Sequence, residues 1–94
     1  MKTIQFTWDD RKNKSNQMKH GVRFEEAQSV FYDPHAIQYF DPDHSEDEER
    51  FILLGLSVRM NVLIVCHCYR EKDYLIRIIS ARKADKNERK NYRR

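Results

Sequence analysis

Apolar and polar positions alternate at the start of the chain. Ile4, Phe6 and Trp8 are interleaved with Thr3, Gln5 and Thr7, the period-two pattern of a short strand with one buried face. The pattern breaks at Asp9. Residues 9–20 are almost entirely polar and stop at Gly21, which predicts a helix capped by Asp9 or Asp10 and ending at about Lys19 or His20. Its apolar face is little more than Met18, so its purpose lies outside core burial: binding RNA or a protein, or covering a sheet edge. Lys12, Asn16, Lys19 and His20 share one side of it. Phe24, Ala27, Val30 and Phe31 then recur at helical spacing, predicting a second helix over residues 24–32 that Asp33-Pro34 terminates. Val22 with Ala27 forms a hydrophobic staple there, and Glu26 supplies the returning half of a capping box.

The second half reads as strands. A short one is expected over residues 36–40, with Ile37 and Tyr39 facing one way. Residues 50–56 and 62–69 are apolar runs joined by the five-residue connection 57–61, short enough for a hairpin. A polar turn over residues 70–73 leads into residues 74–82, where Ile76, Ile78 and Ile79 favour a pleated strand. Apolar residues on both of its faces point to a central, covered strand, and an unpaired Arg77 guanidinium in such a strand is costly. Asp85 and Glu88 stand at capping-box spacing and open a short terminal helix. The expected fold is α+β: an antiparallel meander of three or four strands, two helices before it and one after.

Composition bounds the reading. Ninety-four residues make one domain with one modest core. No apolar run approaches a membrane span, and the N-terminus lacks the apolar stretch of a signal peptide, so a cytoplasmic protein is expected. The net charge of +3 is polarised. Residues 41–49 are rich in Asp and Glu, whereas Lys83, Lys86, Arg89, Lys90, Arg93 and Arg94 make the C-terminal end cationic, which suits a polyanionic partner.

The chemistry-bearing side chains are few. Cys66 and Cys68 flank His67, but strand alternation sends His67 to the opposite face, and residues two apart lie about 6.5 Å from one another, at the edge of disulfide reach. The cysteines read as small buried hydrophobes. Asp41, Asp43 and His44 match no known cation-site spacing and read as a solvated loop. His67 shares its face with Leu63, Val65 and Tyr69. If Arg50 and Arg77 lie beside it, the group makes a workable phosphodiester site, since His titrates near neutrality and Arg stabilises phosphorane charge.

These residues together resemble a known family. Phe6-Thr7-Trp8-Asp9, Lys12, Asn16, Lys19-His20-Gly21-Val22, Phe24-Glu25, Ala27, Val30-Phe31 and Asp33-Pro34 carry the N-terminal half of the likeness. Asp43-His44-Ser45, Glu48-Glu49-Arg50-Phe51, Gly55, Arg77-Ile78-Ile79-Ser80-Ala81-Arg82, Glu88-Arg89 and Tyr92 carry the rest. The chain is similar to the BrnT toxins of BrnT/BrnA type II toxin–antitoxin systems. The resemblance implies a RelE-like fold, a ribonuclease that blocks translation, and a BrnA-like antitoxin that binds operator DNA through a ribbon-helix-helix domain, so that DNA is met only through the antitoxin.

The leading expectation is therefore an endoribonuclease working without metal or cofactor, in which the RNA 2′-OH attacks the adjacent phosphorus. His20 or His67 is the candidate base; Arg50, Arg77 and Arg82 are the candidate phosphate-charge stabilisers. Tyr92 is a candidate for stacking on a base or for proton transfer, while Glu88 reads as a cap. Lys12, Lys19, Lys83, Lys86, Arg89 and Lys90 are the candidate RNA contacts. The competing readings are a non-catalytic RNA- or ribosome-binding module, and an interaction protein whose arginines only receive an acidic antitoxin segment.

Overall fold

The computed structural model describes residues 3–72 and 74–92; Arg93 and Arg94, counted above in the basic end, lie outside the described residues. In chain order the elements are strand β1 (Gln5–Thr7), helix α1 (Asp10–His20), helix α2 (Phe24–Ser29) with a 3-10 turn (Val30–Tyr32), strand β2 (Ile37–Asp41), a second 3-10 turn (Pro42–His44), strands β3 (Arg50–Leu56), β4 (Val62–Arg70) and β5 (Leu75–Lys83), and helix α3 (Lys86–Lys90). The sheet order is β1-β5-β4-β3-β2. Strands β2 to β5 form the expected antiparallel meander, and β1 adds a fifth strand parallel to β5.

The helical layer covers one face of the sheet. Val22, Phe24, Ala27 and Val30 pack on Leu53, Leu63, Val65, Ile78 and Ala81, and each fully buried Val, Leu, Ile or Phe side chain is worth about 1.5–3 kcal/mol. The staple residues Val22 and Ala27 are both fully buried. The capping box at this helix does not form: Arg23 makes no side-chain cap, and the Phe24 N–H donates instead to Asn13 Oδ1 at 2.8 Å. Glu26 turns away to accept from Ser57 Oγ and Asn61 Nδ2, pinning the β3–β4 turn.

The reason for α1 is Asn16. Asp9 caps the helix and Gly21 ends it in a left-handed conformation, as expected. Met18 is 89% exposed, and the buried contact is polar. Asn16 Nδ2 donates to the Val22 and Ala81 carbonyls at 2.9 and 2.7 Å, and Asn16 Oδ1 accepts from the Ala81 N–H. Strand β1 pairs with β5 only as far as Arg77, so beyond it the edge of β5 has backbone groups without a neighbouring strand. A side-chain amide carries the same donor and acceptor as a peptide, and Asn16 completes the ladder. The helix covers a sheet edge.

Asp33 performs the matching service at the other side of the sheet. Its Oδ2 accepts from the Leu56 N–H, just past the end of the β2 pairing, and from the Tyr92 hydroxyl at 2.5 Å. Gly55 makes room for this: a Cβ there would stand 2.8 Å from Val30 and 3.1 Å from Asp33 Oδ2.

Candidate functional site

The second face of the sheet is left open by α1 and α2. Among the described residues only its far end is covered, where Ala84 and Tyr92 around α3 pack on Leu54, Leu56, Val62 and Ile64. The expectation that β5 is covered on both faces is therefore overturned: Ile76, Ile78 and Ala81 are buried beneath the helical layer, and the other face carries Leu75, Arg77, Ser80 and Arg82. Arg77 sits half-exposed there, beside Thr7, Trp8, Asp9 and Arg70 in a shallow cleft of about 350 Å³. The cost expected for a charge inside a buried strand does not arise.

A β-bulge sets up this face. Cys66 pairs with Ser80, but His67 pairs with Ile78, so Ile79 is an extra residue in β5. Arg77 and Arg82 are five positions apart and in a regular strand would point to opposite faces. The bulge shifts the phase by one, and both arginines then share a face, opposite Cys68 and Ile64 respectively. Arg50 joins them, because Ile52 pairs with Cys66 on that same side. Ser80, Cys66 and Cys68 form the floor between. Burial pushes the Cys66 thiol up, so it is no thiolate at neutral pH.

The three arginines are not equivalent. Arg82 forms a two-pronged pair with Glu88, at 2.8 Å on each oxygen. That guanidinium holds the Glu88 carboxyl down at about 2. Glu88 also closes the capping box of α3 with Asp85, so Arg82 fastens the helix to the sheet. Arg50 is held loosely by Glu48 at 3.7 Å, and its Nε, buried, has no partner among the described residues.

The histidines expected to serve the site stand elsewhere. His67 does share its face with Leu63, Val65 and Tyr69, and that face is the one under the helical layer. It is fully buried between Phe31, Phe51 and Tyr69, with ring contacts to Val65 O and Gln38 Oε1. Desolvation lowers its pKa to about 4. Arg50 and Arg77 lie on the far side of the sheet from it, so His67 cannot reach a phosphate they hold. His20, one turn beyond Asn16, ends α1 beside the β5 edge and is partly buried. Tyr92 is 7% exposed, its hydroxyl given to Asp33; burial and that carboxylate push its pKa up to about 12. It is a fastener, with neither a free ring face for stacking nor a proton to lend.

From sequence, His44 read as part of a solvated loop with Asp41 and Asp43. Its Nδ1 lies 2.9 Å from Asp41 Oδ2, and the ring is mostly exposed. Asp41 pairs with Arg50 across β2 and β3 on the open face, and His44 and Arg50 line one cleft with Asp43, Glu46, Asp47 and Glu48. The signal was present as Asp41-x-x-His44 just ahead of Arg50, but a 3-10 turn was needed to bring histidine back over aspartate. Among the described residues no group of three or more His, Cys, Asp or Glu side chains converges on a point that could hold a metal ion.

The basic candidates divide by layer. Lys12 and Lys19 are exposed on α1. Lys83 pairs with Leu63, on the helical side, and lines a cleft with Gln17, Arg23 and Arg59. Lys86, Arg89 and Lys90 are exposed on α3, next to the open face.

A family model described as "Ribonuclease toxin, BrnT, of type II toxin-antitoxin system" matches residues 8–88. The chain belongs to the BrnT family. The matched span includes Asp41, His44, Arg50, the bulge, Arg77, Arg82 and Glu88; Tyr92 falls beyond it. The structure is similar to the 1.1 Å crystal structure of the Brucella abortus ribonuclease toxin BrnT, with a TM-score of 0.65 at 22% identity, over 89% of this chain and all of that one. That likeness carries the fold, a five-stranded mixed sheet with three helices. No curated protein matches the chain. The BrnT family is one of ribonuclease toxins with an antitoxin counterpart. Among the described residues no helix is long and apolar enough to cross a membrane.

Proposed function

We propose that this BrnT toxin is an endoribonuclease that cleaves single-stranded RNA on the open face of its sheet without a metal ion, and thereby blocks translation. The observation that carries the reading is the bulge at Ile79, which brings Arg77 onto the face of Arg50 with no helix over it. Guanidinium forks match phosphate oxygens, and their charge complements the phosphorane that forms when the 2′-oxygen attacks. Arg50 and Arg77 have the freedom to do this. Arg82 joins them only by releasing Glu88.

In this reaction the 2′-O–H loses its proton, a bond from 2′-oxygen to phosphorus forms, and the bond from phosphorus to 5′-oxygen breaks. The products are a 2′,3′-cyclic phosphate and a 5′-hydroxyl, with no cofactor required. The partner in this reading is a BrnA-like antitoxin with a ribbon-helix-helix domain, and DNA is met only through it. The antitoxin silences the toxin by occupying the same arginine face.

The test is incubation of purified, antitoxin-free protein with naked RNA in EDTA. Cleavage leaving a 2′,3′-cyclic phosphate is expected, and Arg77→Leu should reduce it by about 100-fold or more, the range for losing a charge-stabilising donor, with an unchanged melting temperature. Dependence on added Mg²⁺ or a 5′-phosphate product would sink the mechanism. RNA that is bound but intact would leave the competing reading, a binding module.

A further inference from the structure

We infer that His44, oriented by Asp41, is the general base of the arginine face. The inference rests on the ribonuclease reading above and supplies the base that reading lacks, since His67 is buried on the face under the helices.

Geometry carries it. Asp41 ends β2 directly across from Arg50 on the open face. It is 8% exposed and is held in place because Ser45 Oγ donates to its carbonyl. The 3-10 turn Pro42–His44 folds the chain back, so that His44 Nδ1 meets Asp41 Oδ2 at 2.9 Å. A carboxylate accepting from Nδ1–H fixes the tautomer and leaves the Nε2 lone pair facing outward. The His44 side chain is 67% exposed, so Nε2 opens into the cleft that Arg50 also lines. A base, its orienting carboxylate and a charge-stabilising guanidinium thus stand together, three of the roles a phosphodiester site uses.

Other charges face this ring. Asp43, Glu46, Asp47 and Glu48 line the same cleft. Glu48 is drawn to Arg70 at 3.1 Å and to Arg50 at 3.7 Å, which spends its charge on cations of the face. Asp43, Glu46 and Asp47 are exposed in water, where salt screens them from an incoming phosphate.

The step balances. His44 Nε2 takes the 2′-hydroxyl proton as the 2′-oxygen bonds to phosphorus. The 5′-oxygen leaves and takes a proton from water, and His44 later returns its own to solvent. Nothing is oxidised or reduced.

The experiment uses the full chain and a single-stranded RNA oligonucleotide, with cleavage and RNA affinity measured from pH 5 to pH 9. For His44→Gln, affinity and melting temperature should stay at wild-type values while cleavage falls by about 10²–10⁴-fold, and the acid limb of the pH–rate profile should disappear. In His44→Gly, added imidazole should restore part of the rate. Asp41→Asn should slow cleavage and leave RNA affinity at the wild-type value, because Nδ1 loses the carboxylate that orients the ring. A wild-type protein that cleaves, with His44→Gln matching it in rate and pH profile, overturns the inference alone. A wild-type protein that binds RNA but never cleaves it overturns the ribonuclease reading, and the inference with it.

Discussion

His67 illustrates how one residue can satisfy a sequence argument and still do something else. Its position in an apolar strand with Leu63 and Val65 was readable from alternation alone. What alternation does not say is which face the helices will cover, and that decides whether the ring meets phosphate or the side chains of Phe31 and Phe51. Burial keeps the ring neutral, and this has a consequence for stability. Folded His67 titrates at about 4 against an ordinary 6.5, so between those values the unfolded chain binds a proton that the folded chain refuses. The contribution is intact above pH 6.5 and is lost as the pH falls to about 4. At 1.36 kcal/mol per pH unit the loss is about 3 kcal/mol. Denaturant midpoints taken from pH 7 to pH 4 should show it, and His67→Phe should flatten that part of the curve. A wild-type protein equally stable at pH 7 and pH 4.5 would show that the ring charges without cost. Asn16 teaches the complementary lesson. It was grouped with Lys12, Lys19 and His20 as one face of a polar helix, yet it is a buried surrogate for a missing strand; no periodicity marks a side chain that replaces a peptide group.

At the scale of elements, the strands, both caps of α1 and the capping box of α3 follow from local rules and were legible. The bulge was not, although its trace was there: Ile78 and Ile79 are adjacent and apolar, and Arg77 and Arg82 are an odd number of residues apart. A strand that is to place both arginines on one face has to gain one residue between them. The parallel docking of β1 was also beyond local pattern, because three residues cannot declare a partner. The Arg82–Glu88 pair joins β5 to α3 and poses a question that sequence alone answered in two ways, with Arg82 as a catalyst and Glu88 as a cap. Glu88→Gln separates them. The variant keeps a capping amide but loses the charge-assisted fork, and because both side chains are partly exposed, a stability loss of about 1 kcal/mol is expected. If Arg82 serves only as a fastener, RNA affinity stays level. If its guanidinium is a phosphate contact held in reserve, affinity rises as stability drops, and paired thermal melts and RNA titrations read both.

Over the whole molecule the charges are arranged rather than balanced. The open face carries Arg50 and Arg77, the exposed cations of α3 stand at one end of it, and the acidic loop stands at the other by Arg50. A strand of RNA laid on this face would run from the α3 end toward the loop, with phosphates over the cations. The acidic end would weaken contact beyond Arg50. Such binding is dominated by counterion release, with a log–log salt slope of about −0.7 for each phosphate neutralised on a single strand. Lys86 and Lys90 are exposed on a helix only five residues long, and replacing both by Gln leaves Asp85, Glu88 and the Arg82 anchor in place, so the fold should hold. If both touch phosphate, the double variant should bind RNA with a slope shallower by about 1.4 and a similar change for every RNA sequence, since phosphates carry no sequence information. The same experiment on Lys12 and Lys19, which lie on α1 in the helical layer, should leave the slope unchanged. A slope that responds to α1 and ignores α3 would move the RNA off the open face and onto the helices, and the arginines would then be left to the antitoxin.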